Sequence, residues 1–372
     1  MAEAGEFGKS RGNASCKAWG RTLHLRGEMT TKSSRKAPTD NRGAVWRRVG
    51  TPREGFTYLR ADGKPLTSKA ALARIRALAV PPAWTDVEIA ASPDAKVQAT
   101  GIDAAGRKQY RYHPDFVGKG ARRKYRKLLE YARSIPRLRE VTGEHLRQKG
   151  LGRDKVLATI VRLMMRGFFR VGSERYAVEN KTFGITTLRK KHMAIEGRDL
   201  RFRYVGKKSI HQHKVVADTP LVKILREMVK LPGSRLFQYV DEDGRVQKVT
   251  AQDVNGYVKE ILGKRYTSKD IRTWGGTVRA ATILADLGPP ANEAEAKKNV
   301  VLACKLVSSE LGNTPAVCRS AYIHPAVLDR YLKGKTIEPL MRKDDRPEDD
   351  DGAAPDYYPE EAALMRFLEK WG

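Results

Sequence analysis

Residues 312–322 read Gly-Asn-Thr-Pro-Ala-Val-Cys-Arg-Ser-Ala-Tyr, and the organisation of the whole chain is best understood from this stretch. Thr314 before Pro315 predicts the start of a helix, because a hydroxyl oxygen caps free N–H groups and proline fits the first helical position. Tyr322 then lies about two turns into a short helix. A tyrosine at such a position is usually a packing residue, and it becomes a nucleophile only where cations stabilise its phenolate.

The composition indicates a soluble globular protein with a polyanionic partner. The 372 residues include 72 Lys and Arg against 43 Asp and Glu, which gives a formal net charge of +29. Nucleic acid is the first candidate partner and an anionic membrane surface is the second. The most apolar stretch, residues 156–171, contains three arginines and is too short to span a bilayer. Residues 1–13 lack the apolar core of a secretory signal, so we expect a cytoplasmic protein without a membrane partner.

The cysteines and histidines do not form a recognisable metal set. Cys16, Cys304 and Cys318 are far apart and include no Cys-x-x-Cys pair, while His211 and His213 have no carboxylate or cysteine nearby. We therefore expect neither a disulfide framework nor a metal site. The sequence also has no Gly-x-x-x-x-Gly-Lys-[Ser/Thr] phosphate loop, and we expect no cofactor.

Changes in composition divide the chain into three parts. Residues 1–44 read as a flexible basic tail, residues 45–117 as a β-rich N-terminal domain, and residues 118–372 as a larger, mainly helical domain with a small β-sheet or hairpin. Within the last part, residues 118–139 form a basic linker or first helix, and residues 340–355 form an acidic loop. The expected fold class is α+β.

The N-terminal domain contains a predicted helix at residues 68–78 and two strands within residues 97–112, joined by a turn at residues 103–106. Strand alternation separates a cationic face from an aromatic face. Such a surface suits contact with duplex DNA, but a solvated edge strand with two core tyrosines fits the pattern equally well. The first face carries Arg107, Gln109 and Arg111, and the second carries Lys108, Tyr110 and Tyr112.

Apolar spacing in the second domain predicts mainly helices. One helix is expected to begin at residue 153, and others are expected at residues 220–230, 250–262, 269–287, 292–311 and 360–371. Short strands are expected at residues 186–189, 193–195 and 200–205, and a hairpin turn at residues 206–208.

Three cations, Arg170, Lys207 and Arg272, precede Tyr322 along the chain, and each alone reads as a surface charge. The motifs around them are Phe169-Arg-Val-Gly with Tyr176, Gly184-Ile-Thr-Thr-Leu188, Val205-Gly-Lys207, Lys269-Asp-Ile-Arg-Thr-Trp274 and Ser320-Ala-Tyr322. Further motifs are Val80-Pro-Pro-Ala-Trp-Thr85, Gln98-Ala-Thr-Gly and Gly106-Arg-Lys-Gln-Tyr-Arg-Tyr112. Over residues 45–332 this set resembles the type IB DNA topoisomerases, in their compact poxvirus-like bacterial branch.

The resemblance implies a catalytic set. Tyr322 corresponds to the nucleophile that forms a 3′-phosphotyrosyl link to DNA, Arg170 and Arg272 to the two phosphate-binding arginines, and Lys207 to the general acid for the leaving 5′-oxygen. Much of the family has a histidine nine residues before the tyrosine, where this chain has Asn313. An asparagine amide can donate a hydrogen bond to phosphate, but it carries no charge.

The resemblance also implies DNA contacts by Gln109, Tyr110, Tyr112, Tyr176 and Lys269, and Arg107 lies on the same predicted face as Gln109. The expected activity is relaxation of supercoiled double-stranded DNA without ATP or metal, by a nucleoid-associated monomer that forms a clamp around the duplex.

Two other functions fit part of the pattern. A tyrosine recombinase or integrase would share the phosphotyrosine chemistry, but such enzymes commonly carry His-x-x-Arg where this chain has Lys269-Asp-Ile-Arg272. A non-catalytic basic DNA-binding protein would account for the charge but would leave the ordered cations and tyrosine unexplained.

Overall fold

The computed structural model describes residues 44–342 and 356–372. The predicted basic tail and most of the predicted acidic loop lie outside these residues. The described chain divides into two compact units, the first ending at Pro114 and the second beginning at Asp115.

The first unit is an antiparallel sheet of five strands with one helix. The elements are β1 (Val45–Thr51), β2 (Gly55–Leu59), α1 (Lys69–Ala77), β3 (Thr85–Ala90), β4 (Val97–Ile102) and β5 (Lys108–Tyr112). The strand order is β2-β1-β3-β4-β5. The core contains Ile75 from α1 together with Val87 and Ile89 from β3 and Ala99 from β4.

The predicted helix and strand pair of this unit are confirmed. Helix α1 follows Ser68, whose hydroxyl accepts a hydrogen bond from the N–H of Ala71. Strands β4 and β5 pair across the expected turn, and β5 is an edge strand of the sheet. On its aromatic face, the rings of Tyr110 and Tyr112 stack with centroids 5.9 Å apart.

The turn between β4 and β5 is organised by one carboxylate. Asp103 accepts hydrogen bonds from the N–H of Arg107, from the Arg107 guanidinium and from Nε2 of Gln109. The bonds from Arg107 lower the pKa of Asp103 to about 2. The sequence Asp-x-x-Gly-Arg-x-Gln recurs at residues 241–247, where Asp241 accepts the equivalent bonds from the Arg245 N–H and the Gln247 side chain. The hydrogen bonds to Asp103 and Asp241 therefore belong to a turn motif that occurs at both places.

The second unit consists of helices with a three-stranded antiparallel sheet, β6-β7-β8, and a two-stranded pair, β9-β10. Its long helices surround a continuous apolar core in which α4 is buried along most of its length. The helices are α2 (Pro114–Arg133), α3 (Ile135–Arg147), α4 (Arg153–Gly167), α5 (Glu174–Glu179), α6 (Thr219–Met228), α7 (Ala251–Leu262), α8 (Ser268–Asp286), α9 (Glu293–Leu311), α10 (Pro315–Ala321), α11 (Pro325–Tyr331) and α12 (Pro359–Trp371). The strands are β6 (Met193–Glu196), β7 (Asp199–Val205), β8 (His211–Ala217), β9 (Gln238–Val240) and β10 (Val246–Lys248). No helix in the described ranges is long and apolar enough to cross a bilayer.

One prediction for this unit is wrong, and the bounds of another differ. The basic segment at residues 118–139, predicted as a linker or first helix, contains most of α2, which ends at Arg133, and the start of α3, which follows Ser134 and has a proline in its first turn. Residues 186–189 do not form a strand: Ile185–Thr187 is a 3-10 turn closed by the Thr187 hydroxyl, which bonds to the backbone of Gly184. At residues 186–189, these hydroxyl bonds override the apolar pattern that predicted a strand.

A buried ion pair fixes the C-terminal helix. Glu361 on α12 accepts hydrogen bonds from Arg139 on α3 at 2.7 Å and from the indole N–H of Trp274 on α8 at 3.1 Å. The side chains of Arg139 and Glu361 are only 7% and 9% exposed. One carboxylate therefore connects three helices of the core.

We expect Glu361→Ala to reduce the free energy of unfolding by on the order of 3–5 kcal/mol, because it leaves the buried Arg139 without its counter-charge. Chemical denaturation followed by circular dichroism measures the change. The matched control is Glu369→Ala on the same helix, whose ion pair with Arg133 is exposed and contributes less than about 1 kcal/mol. Equal losses in the two variants would contradict this role for the buried pair.

Candidate active site

The C-terminal end of α9 is the centre of the candidate site. Gly312 ends the helix in the left-handed conformation, at φ 62°. The N–H groups of Gly312 and Asn313 bond to the carbonyl oxygens of Ser309 and Ser308, at 3.2 and 2.9 Å. A Cβ atom on Gly312 would overlap the side chain of Gln212. Glycine is therefore required here both by its backbone angle and by the close approach of β8.

Three consecutive carbonyl oxygens at this helix end each accept a hydrogen bond from a different cation. Lys214 Nζ donates to Glu310 at 2.6 Å, and Arg272 Nη2 donates to Leu311 at 2.9 Å. Arg170 Nη2 donates to Gly312 at 2.6 Å. The last carbonyl groups of a helix lack partners within the helix and carry partial negative charge, so cations are favoured there. The helix end thus binds three cations, one each from β8, α8 and the segment after α4.

Arg272 is the most buried of the three, with 4% of its surface exposed. It also donates through Nη1 to the carbonyl oxygen of Phe168, a residue that ends α4 in the left-handed conformation at φ 52°. Burial, followed by the nearby charge of Arg170, lowers the pKa of Arg272 to about 10. The guanidinium lies 5.4 Å from the centre of the Tyr322 ring. Arg272 is therefore held rigidly beside the predicted nucleophile.

Asn313 connects the helix end to Arg170. Its Oδ1 accepts a hydrogen bond from Arg170 Nη2 at 2.6 Å, which directs the Nδ2 donor away from that guanidinium. Both Asn313 Nδ2 and Arg272 Nε are buried and have no hydrogen-bond partner among the described residues. Buried donors without partners are costly, and two of them in a cation cluster make a site suited to an oxyanion.

Tyr322 is held by its backbone at the end of α10. The helix begins after Thr314 and ends at Ala321, so Tyr322 is its C-terminal cap. On one side, Thr277 of α8 donates its hydroxyl hydrogen to the carbonyl oxygen of Tyr322. On the other side, Lys124 of α2 donates to the carbonyl oxygen of Ala321 at 2.7 Å.

Helix α2 makes further contacts with this backbone. The hydroxyl of Tyr125 lies 2.9 and 3.2 Å from the carbonyl oxygens of Ile323 and Ser320, to which it donates. Burial, followed by the charge of Lys269, lowers the pKa of Lys124 to about 8. Burial and the charge of Lys124 lower the pKa of His324 to about 4, so this nearby histidine is neutral at pH 7 and adds no charge to the site.

Not every predicted site residue joins this cluster. Lys207 is exposed in the turn between β7 and β8, and in the described part of the chain it forms no hydrogen bond or ion pair with Arg170, Arg272, Asn313 or Tyr322. Lys269 is exposed one turn before Arg272 on α8.

The residues predicted to contact DNA outside this cluster differ in their exposure and in their bonds to other side chains. Tyr176 on α5 is 45% exposed. In the first unit, the Arg107 guanidinium and the Gln109 amide nitrogen bond to Asp103, whereas the Tyr110 and Tyr112 rings form a partly buried stack.

Sequence reasoning missed Lys214, Lys124 and Tyr125. Lys124 lies among many cations of α2, and nothing in the sequence separates it from its neighbours. Lys214 had one available signal, strand alternation with Gln212 and Val216, but β8 itself was not predicted. Among residues 44–342 and 356–372, no group of three His, Cys, Asp or Glu side chains could hold a metal ion.

Comparison with protein families agrees with this geometry. Residues 113–345 match the family model of the eukaryotic DNA topoisomerase I catalytic core, and residues 55–103 match that of the bacterial DNA topoisomerase IB N-terminal domain. The first match alone covers more than half of the chain. The chain belongs to the type IB DNA topoisomerase family.

Individual relatives support the assignment to this family. DNA topoisomerase 1B of Acanthamoeba polyphaga mimivirus is 31% identical over 283 residues, which cover 74% of this chain and 84% of the relative. DNA topoisomerase 1 of Rabbit fibroma virus (strain Kasza) is 29% identical, with 62% and 71% covered. A solved structure of the XerH site-specific recombinase bound to palindromic difH substrate has 12% identity and a TM-score of only 0.33 over 51% of this chain and 47% of that one.

The unpartnered donors predict that this topoisomerase family member binds tetrahedral oxyanions. We expect sulfate to raise the melting temperature of the wild-type chain more than that of Asn313→Ala, which lacks the Nδ2 donor. A site filled at tenfold excess over its Kd stabilises by about 1.4 kcal/mol. Differential scanning fluorimetry in sulfate and in chloride of equal ionic strength measures the difference. An equal sulfate effect in both proteins would show that Asn313 is not part of an anion site.

Proposed function

We propose that this chain relaxes supercoiled duplex DNA by nicking one strand through a 3′-phosphotyrosyl intermediate and then resealing it. One observation carries the proposal: the Tyr322 ring lies beside a cluster in which the buried N–H donors Arg272 Nε and Asn313 Nδ2 lack partners in the described residues. A phosphodiester supplies the negative oxygens that these donors require. The membership of the type IB topoisomerase family and the names of the viral relatives support the same reaction.

In the cleavage step, the Tyr322 phenol oxygen forms a bond to phosphorus as the bond from phosphorus to the 5′-oxygen breaks. The phenol releases its proton to solvent water, and the leaving 5′-oxygen gains one from Lys207. Arg170 and Arg272 bind the non-bridging oxygens, where negative charge increases in the transition state. Asn313 adds an uncharged donor through Nδ2 while its Oδ1 orients Arg170.

Lys207 is the proposed proton donor to the leaving oxygen. It lies at an exposed hairpin turn in which Lys208 and Ser209 both have left-handed backbone angles. Such a turn presents its side chains to solvent, so Lys207 is accessible to bound DNA. A lysine fits this role because it can release its proton, whereas a guanidinium remains charged.

Resealing reverses the chemistry. After the nicked end has rotated about the intact strand, the 5′-hydroxyl attacks the phosphotyrosine and releases Tyr322. The reaction exchanges one phosphodiester for another, so it needs no ATP. The arginines supply the charge stabilisation that a metal ion provides in other phosphoryl-transfer sites.

The proposed partner is supercoiled double-stranded DNA, bound by a monomer that closes around the duplex and is associated with the nucleoid. The net charge of +29 supports such a partner. Binding through many phosphate contacts falls steeply with salt because counterions are released from DNA. The Tyr110 and Tyr112 stack and the exposed Tyr176 provide further surfaces for the duplex.

The direct test uses Tyr322→Phe. We expect this variant to bind duplex DNA with an affinity within about threefold of wild type, because it loses only a hydroxyl. It should form no covalent adduct and should not relax negatively supercoiled plasmid in EDTA without ATP. Denaturing gels with end-labelled duplexes measure the adduct and identify the DNA end that it carries. An unchanged adduct yield would reject Tyr322 as nucleophile, and strand exchange by the wild type without relaxation would favour a recombinase.

Substitutions of Asn313 test the second part of the mechanism. Asn313→Ala should reduce the single-turnover cleavage rate by roughly 100- to 1,000-fold, the range for loss of one oxyanion donor. Asn313→Asp should reduce it further, because it keeps the acceptor for Arg170 but places a negative charge beside the phosphate. Asn313→His should restore or increase the rate. Full activity of the alanine variant would exclude a catalytic contribution from this residue.

A further inference from the structure

Lys214 occupies an unusual position for a lysine. It lies on the inward face of β8, between the buried residues Gln212 and Val216, and pairs across the sheet with the fully buried Phe202. Its ammonium group is 5.6 Å from the centre of the Phe169 ring. An apolar residue at this position would cost less to bury, so the presence of a lysine here indicates a functional role.

The surroundings of Lys214 are predominantly cationic. Burial, followed by the charges of Arg272 and Arg170, lowers the pKa of Lys214 to about 7, against an opposing contribution from Glu310. The Glu310 carboxylate is itself bound to Arg279 at 2.8 Å. On β7, burial raises the pKa of Tyr204 to about 12, so this phenol brings no negative charge near neutral pH.

Only one of the three cations at the end of α9 can change its charge readily. Arginine keeps its proton under nearly all conditions, whereas a buried lysine gives up its proton when other cations lie close by. The neutral amine of Lys214 still donates a hydrogen bond to the Glu310 carbonyl oxygen. The charge of the cluster can therefore change by one unit without loss of this contact.

We propose that Lys214 is a positioning residue that holds the C-terminal turn of α9 and takes up one proton when a phosphate binds beside Arg170 and Arg272. This inference rests on the proposed function, in which the scissile phosphate occupies that cluster. In the free protein above about pH 7, neutral Lys214 adds no further repulsion to that between the two arginines. When phosphate binds, an ammonium group on Lys214 adds to the positive field, and its proton comes from solvent.

Proton uptake has a defined pH dependence. Bound phosphate raises the proton affinity of Lys214, so phosphate binding weakens as pH increases above the value at which free Lys214 titrates. The cleavage rate at subsaturating DNA should therefore fall above pH 7 by up to about tenfold per pH unit. An arginine at this position would keep its charge and remove this dependence.

The stability of the folded protein changes with pH in the direction opposite to phosphate binding. Lys214 titrates at a lower pH in the folded protein than the value of about 10.4 for an unfolded chain. Between these two values the unfolded chain binds more protons, so stability rises with pH from about 7 to 10. Lys214→Met should be more stable than wild type at pH 6 and should lose this part of the rise.

The experiment compares wild type, Lys214→Met and Lys214→Arg, with the exposed Lys223→Met on α6 as the matched control. Single-turnover cleavage of an end-labelled duplex and melting temperature are measured from pH 6 to 10. We expect the Met variant to cleave at least about tenfold more slowly than wild type at pH 7 and subsaturating DNA, because it lacks the ammonium group that strengthens phosphate binding. The Arg variant should keep substantial activity but lose the decline above pH 7.

The outcomes separate this inference from the proposed function. If wild type forms the adduct and both Lys214 variants keep its rate and its pH profile, the inference is wrong and the proposed function stands. If wild type forms no adduct, the proposed function fails. If the Met variant folds poorly, the Arg variant decides the question. A cleavage rate that still falls above pH 7 in the Arg variant, as in wild type, contradicts proton uptake by Lys214.

Discussion

The candidate site depends on the C-terminal end of α9, where three carbonyl oxygens orient Lys214, Arg272 and Arg170. Guanidinium and ammonium groups so close together repel one another, and each of them binds a different carbonyl oxygen of the same short turn. The partial negative charge of the helix end offsets part of that repulsion. It also fixes the direction of each side chain before any substrate binds, which is the form of electrostatic preorganisation that contributes most in enzymes.

The geometry of this helix end also explains which residues occupy the positions beside it. Gly312 is required because its backbone is left-handed and because Gln212 leaves no room for a Cβ atom. Asn313 follows at the position where one amide can both accept from Arg170 and leave a donor available. Helix α10 then begins at once and ends beside Tyr322, whose backbone is held between α8 and α2. One helix terminus thus connects the phosphate-binding groups to the proposed nucleophile.

Much of this arrangement could be predicted from the sequence, and the residues that could not be predicted were missed for physical reasons. Local signals such as Thr314-Pro315 indicated the short helix, and the resemblance to the type IB topoisomerases implied that Arg170 and Arg272 act together with Tyr322. Lys214 was missed because it follows His211, Gln212 and His213 on β8, so that this part of the segment reads as polar and exposed. The contact of Lys124 with Ala321 joins residues 197 positions apart, and no local pattern reports such a contact. The Asp-x-x-Gly-Arg-x-Gln repeat was present in the sequence, but only the bonds to its aspartates reveal its role in turns.

The most direct test of this account is a crystal structure of Tyr322→Phe bound to a duplex. The account predicts that one phosphate lies within hydrogen-bond distance of Arg272 Nε and Asn313 Nδ2, with Lys214, Arg272 and Arg170 still bound to the carbonyl oxygens of residues 310–312. A phosphate held elsewhere, with these two donors still unpaired and the aromatic ring at position 322 directed away from the DNA, would contradict it.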